Sequence, residues 1–113
     1  MKTSYEIGVF FEQQTLDVLQ KEKHSLLGKR IITRSCEIDL LTLRDNCIFL
    51  TEVKYRKQCK IGLYVLNRIL QKRLYNAYLI WLQTNMEYLN YDFYMQYFFW
   101  KSPKLYIRGP FVV

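Results

Sequence analysis

At 113 residues, half of them hydrophobic, the chain suits one domain with a single modest core and is too apolar for a disordered tail. Its charge is uneven: residues 1–53 carry seven Lys and Arg against eight Asp and Glu, while residues 54–113 carry ten basic residues and only Glu87 and Asp92, leaving a net +7. Apolar runs are broken well short of a membrane span and the first residues lack the apolar stretch of a signal peptide, so a cytoplasmic protein without a membrane partner is expected.

Residues 4–22 read as a helix. Thr3 and Glu6 fit a capping box, and Ile7, Phe11, Thr15, Val18 and Leu19 recur at helical spacing on the face expected to meet a sheet. Residues 23–29 read as a turn with Gly28 as its breaker, and His24, between charged residues and Ser25, as a surface side chain. Residues 29–34 read as a first strand. Residues 36–56 form two runs rich in Ile, Leu, Thr, Phe and Val around Arg44-Asp45-Asn46, which is a hairpin signal because Asp and Asn tolerate positive φ. Residues 57–64, basic and containing Gly62, read as a loop. A second helix follows over 65–84, with Leu66, Leu70, Leu74, Ala77 and Trp81 as its apolar stripe. The aromatic stretch 91–100 reads as a buried strand, better suited to a core or a dimer interface than to base stacking. After a turn at 101–104, residues 105–113 read as an edge strand or a packed tail. The order α-β-β-β-α-β-β gives an α/β domain with a mixed β-sheet and helices packed on it, spanning residues 1–113.

The hairpin carries the chemistry. Alternate side chains of a strand share a face, which groups Glu37, Asp39, Leu41 and Leu43 on one strand and Ile48, Leu50, Glu52, Lys54 and Arg56 on the other. With the turn at 45–46, Asp39 and Glu52 come out nearly opposite. Two carboxylates so placed repel unless a cation sits between them. Lys54 supplies one charge, and Mg²⁺ (or Mn²⁺), which takes one or two carboxylates with waters and phosphate oxygens, would supply more. The bland alternative is an ordinary ion pair on a solvated strand end. Glu12 could reach such a pocket from the helix above or be a plain helix-surface carboxylate. The three cysteines, Cys36, Cys47 and Cys59, lack Cys-x-x-Cys spacing and read as reduced thiols rather than a zinc site. Lys54, Arg56, Lys57, Lys60, Arg68, Lys72 and Arg73 form a run with no acid in it. Such a run attracts a polyanion, or is a solvated basic face.

Asp39 with Glu52-Val53-Lys54 resembles the Asp…Glu-x-Lys core of the PD-(D/E)xK nuclease superfamily. Gly8-Val-Phe-Phe-Glu12, Glu37-Ile38-Asp39-Leu40 and Phe49-Leu50-Thr51-Glu52-Val53-Lys54-Tyr55-Arg56 are similar to segments of the YraN-like family of Holliday-junction-resolvase-related proteins. The similarity runs from Gly8 to about Phe111. This chain departs from it in having Cys36 where the family has Gly, and Tyr91 near a family Arg. The resemblance implies a restriction-endonuclease-like core and a metal-dependent DNA endonuclease, with branched or structured DNA as a candidate substrate. Asp39, Glu52 and the Val53 carbonyl would hold the ion, Glu12 would be a further ligand or hold a water, and Lys54 would stabilise charge. Arg34, Arg56, Lys57, Lys60, Arg68 and Lys72 would contact the nucleic acid. A homodimer would suit a junction enzyme, since two symmetric sites cut two strands. Two other readings stand beside this one: a non-catalytic nucleic-acid-binding protein, and a protein-interaction subunit that keeps the scaffold.

Overall fold

A computed structural model describes residues 2–56, 67–101 and 104–113. Helix α1 (Ser4–Lys21) is followed by strands β1 (Ser25–Ile32), β2 (Glu37–Arg44) and β3 (Cys47–Tyr55). Helix α2 (Arg68–Leu82), a short 3-10 turn (Met86–Tyr88) and strands β4 (Asp92–Lys101) and β5 (Lys104–Phe111) complete the described elements. The five strands form one sheet in the order β1-β2-β3-β4-β5. Of these neighbours β3 and β4 run parallel and the others antiparallel. The parallel pair needs a crossover, and α2 lies between its two strands in the chain. This is the mixed α/β sheet expected from the order of elements, and it is consistent with a restriction-endonuclease-like core. Among the described residues no helix is long and apolar enough to cross a membrane.

Local sequence explains the boundaries. The Thr3 hydroxyl accepts from the Glu6 amide while the Glu6 carboxylate accepts from Thr3, closing the capping box that starts α1. Asn67 caps α2 by accepting from the Leu70 amide. Asp45 and Asn46 both take positive φ, 52° and 62°, giving the two-residue turn whose twist matches the flanking strands. Arg44 then pairs with Cys47, Leu43 with Ile48 and Leu41 with Leu50.

Two of the sequence expectations need correction. β1 starts at Ser25, so Gly28 is no breaker. It sits at a register irregularity inside the strand, where an added Cβ would come 2.7 Å from Ile31 Cδ1. His24 is buried rather than exposed: Lys23 turns the chain left-handed, the His24 amide bonds back to Leu19, and the ring lies against Phe49 with Nδ1 2.8 Å from Thr42 Oγ1.

The sheet is covered on both faces, because neighbouring strand residues feed different clusters. Leu40, Val53 and Phe98 pack with Leu16 and Leu19 of α1. Leu41, Ile48, Leu50, Met95, Tyr97 and Phe99 pack with Leu74, Ala77, Tyr78 and Leu82 of α2. The aromatic strand β4 is therefore core, with residues 95–99 buried.

Candidate active site

The expected grouping of Asp39 with Leu41 and Leu43 on one face needs correction. The alternation that organises the sheet fails at one place: Asp39 lines a cavity beside α1, while Leu41 and Leu43 pack toward α2. Leu40 packs beneath α1, yet Ile38, two residues away, packs in the α2 cluster with Leu41. The β2–β3 ladder runs from the turn as far as Leu40 and Thr51. Beyond it, the amide of Val53 donates instead to Oδ2 of Asp39 at 2.9 Å. A side chain has taken over the acceptor role of the neighbouring strand, so the end of the hairpin carries a carboxylate among its main-chain groups. The register, continued by one step, sets Asp39 against Glu52, and their carboxyls are hydrogen bonded to each other. The structure thus brings together the two acids that the hairpin spacing sets opposite one another.

Glu52 is buried, with 5% of its surface exposed. Burial, the hydrogen bond to Asp39 and the charge of Asp39 push its carboxyl up to about 10, against the pull of the Lys54 ammonium. Without a bound cation these causes favour the protonated form of Glu52, with the proton shared in the contact with Asp39. A buried carboxyl against a half-buried one favours a proton or a cation between them over two bare charges.

Glu12 reaches the same end of the sheet from α1. It is gripped by Arg30 of β1, with Nε 2.9 Å from Oε1 and Nη2 3.2 Å from Oε2, a two-point ion pair. Burial, then the charge of Asp39, raises Glu12 to about 7 despite Arg30. Arg30 also lies over the Tyr5 ring, 4.8 Å from its centroid, and adopts φ 50°. Lys29 pairs with Leu40 and Ile31 with Ile38, so Arg30 stands in the row of Asp39. Sequence reasoning missed Arg30. The signal lay in the spacing of Gly8 and Glu12 on α1: the guanidinium passes Gly8, with Nη2 3.7 Å from where a Cβ would be, to reach the carboxylate one turn on.

Of these groups Glu12 and Asp39 border a cavity of about 430 Å³ lined by Ser4, Ile7, Gly8, Glu12, Asp39, Val53, Lys54, Tyr55 and Arg56, with Glu52 buried behind its lining. Lys54 is half-buried and Arg56 exposed. Arg34 lies elsewhere, in a second cavity with Ser35, Asn76, Leu79, Ile80 and Gln83. Arg68 and Lys72 are exposed on α2 and do not line the acidic cavity. Lys57 and Lys60 lie outside the described residues.

Among the described residues no three His, Cys, Asp or Glu side chains form a ready-made metal cluster. What the site offers is two carboxyls in contact and the neighbouring Val53 main chain. Hard oxygen donors of that kind, with two protein carboxylates and room for waters, fit Mg²⁺ or Mn²⁺ better than a softer ion.

A family model described as Uncharacterised protein family UPF0102 matches residues 11–97, which include Glu12, Arg30, Asp39, Glu52 and Lys54. A UPF0102 protein of Rhodopseudomonas palustris is 29% identical over 85 residues, covering 75% of this chain and 65% of that protein. A UPF0102 protein of Nitrobacter winogradskyi is 27% identical over 90 residues, 80% of this chain and 76% of that one. One from Photobacterium profundum is 32% identical over 80 residues, 69% and 64% respectively. The match thus spans slightly less than two thirds of the Rhodopseudomonas and Photobacterium proteins.

Proposed function

Since the chain belongs to the YraN-like family, UPF0102, we propose that it is a metal-dependent nuclease that hydrolyses phosphodiester bonds in DNA, branched DNA included. The observation that carries this reading is the carboxyl pair at the end of the hairpin, buried Glu52 against half-buried Asp39, beside Lys54 and with Asp39 on the wall of a cavity. A stability role explains it poorly, because burying two acids in contact costs free energy that apolar residues would not.

In this reading Asp39, Glu52 and the Val53 carbonyl would hold a divalent cation. When bound, such an ion neutralises charge on a phosphate and lowers the pKa of a water beside it. The protein's own groups do the rest. The Val53 amide fixes one oxygen of Asp39 and leaves the other for the pair. Glu52 would hold the ion as a carboxylate, without the proton its burial otherwise favours. Lys54, whose charge already acts on Glu52, offsets negative charge building on the phosphate and orients the attacking water. Arg30 restrains Glu12 at the rim, from where its carboxylate can hold a water. Arg56, at the mouth, meets the next phosphate.

Labelled DNA structures incubated with Mg²⁺, Mn²⁺ or chelator test the proposal. Cleavage in either metal, absent with chelator and lost in Asp39→Ala while the circular dichroism spectrum is retained, is the expected result. Equal cleavage by Asp39→Ala from a clean preparation removes the assignment.

A further inference from the structure

We propose that the wall of this cavity away from the acids is a nucleobase subsite built on Tyr55. The preferred substrate is then a strand with an unstacked nucleotide next to the scissile phosphate, rather than continuous duplex. The inference rests on the nuclease reading and narrows it.

Ser4, Gly8 and Glu12 are four residues apart and lie on one row of α1, so the cavity follows that helix for roughly 12 Å at 1.5 Å per residue. Glu12, beside Asp39, is at one end of the row. The remaining lining away from it is Ser4, Ile7, Gly8 and Tyr55, mostly apolar, next to the cations of Lys54 and Arg56. A phosphate needs the cations and the acid end. It does not need an aromatic wall.

Tyr55 is held for contact. One face of its ring stacks flat on Phe11, with centroids 4.2 Å apart and planes within 10°. Phe11 in turn leans on Trp100 at 5.6 Å, and the indole N–H of Trp100 donates to Thr15 Oγ1 at 2.8 Å. The Thr15 hydroxyl donates onward to the Phe11 carbonyl at 2.8 Å. The column Trp100–Phe11–Tyr55 is thus anchored by hydrogen bonds at its inner end and stops at the cavity. Tyr55 stays half-exposed, and among the described residues no further ring stacks on it. A rigid ring with one face covered and one side toward a cationic cavity is the arrangement that takes a base while neighbouring charges take its phosphates.

A paired base has both faces covered by its neighbours. It reaches Tyr55 only by leaving the stack, which is least costly where the nucleotide is already unpaired. The subsite therefore selects single strands, flaps and splayed arms.

The test compares two probes by fluorescence anisotropy in Ca²⁺, with gels confirming that the strands stay whole. One is a short thymidine strand and the other an abasic strand of equal length and charge. The unaltered protein is expected to bind the thymidine strand roughly 5- to 150-fold more tightly, as stacking of a base on an aromatic ring implies. Tyr55→Leu should lose that preference and keep its affinity for the abasic strand, and Tyr55→Trp should retain both. Equal binding of the two strands by the unaltered protein overturns the subsite even if Tyr55→Leu fails to fold, and so does binding of neither. Cleavage lost in Asp39→Ala judges the nuclease reading separately. A protein that cuts DNA yet ignores the bases keeps its activity and loses the subsite.

Discussion

Replacing Glu52 by glutamine should make the cation-free protein more stable at neutral pH, and the gain can be worked from the site. Below pH 4.5, the ordinary glutamate value, Glu52 is protonated in both folded and unfolded chains and contributes no pH dependence. Above it the unfolded chain releases the proton while the folded chain, with its carboxyl raised to about 10, keeps it. The folded state then binds more protons, so stability falls as pH rises, by about 1.4 kcal/mol per unit. From pH 4.5 to pH 7 the loss is about 3 kcal/mol, a large share of the roughly 5–15 kcal/mol typical of a domain. A glutamine side chain has no proton to release and can still donate to Asp39. Urea denaturation of the unaltered protein and Glu52→Gln in chelator, at several pH values, measures the difference. The curves should nearly coincide near pH 4.5 and separate as pH rises, with the glutamine variant the more stable. Adding Mg²⁺ should then stabilise the unaltered protein, by about 2.7 kcal/mol when the ion is at about a hundred times its Kd, and leave the variant unmoved. Parallel curves at every pH, or equal responses to Mg²⁺, would refute the picture of a buried acid pair awaiting a cation.

Three further outcomes follow from the geometry. Arg30→Ala should raise the Glu12 carboxyl above its present position near 7, because the guanidinium is what opposes its burial; carbon-13 NMR titration of Glu12 reads the change, and an unmoved midpoint would mean that the ion pair is not formed in solution. Asn46→Gly should match or slightly exceed the unaltered protein in stability, whereas Asn46→Val should lose about 1–2 kcal/mol at the φ of 62°, both by denaturant melts. The His24 ring should titrate below 6.5, since burial and then the Arg44 charge disfavour its protonated form; a proton-NMR midpoint at or above that value would place it in solvent.

What was legible in the sequence was whatever depends on neighbours in the chain. Asp45-Asn46 with period-two patterning fixes the hairpin, and the hairpin register alone brings Asp39 to Glu52. The α1 stripe and capping box follow from helical spacing in the same way. What escaped depends on elements meeting across the fold. His24 looks polar among charges, yet the left-handed turn at Lys23 folds it under Phe49. Arg30 looks like one more base in a basic protein, and only the passage of β1 alongside α1 gives it Glu12. Gly28 has the composition of a breaker, but the pairing of β1 with β2 turns it into an irregularity within a strand. Arg34, which the resemblance implies as a nucleic-acid contact, does not line the acidic cavity. The strand ends at Ile32, and the residue falls instead beside α2.

The most direct measurement is anomalous diffraction from a crystal of this protein soaked in Mn²⁺. One strong peak is expected within bonding distance of Asp39, Glu52 and the Val53 carbonyl, absent from crystals of Asp39→Ala. A peak elsewhere, or none at a site whose two carboxyls remain bonded to each other, would contradict a cation held by this pair.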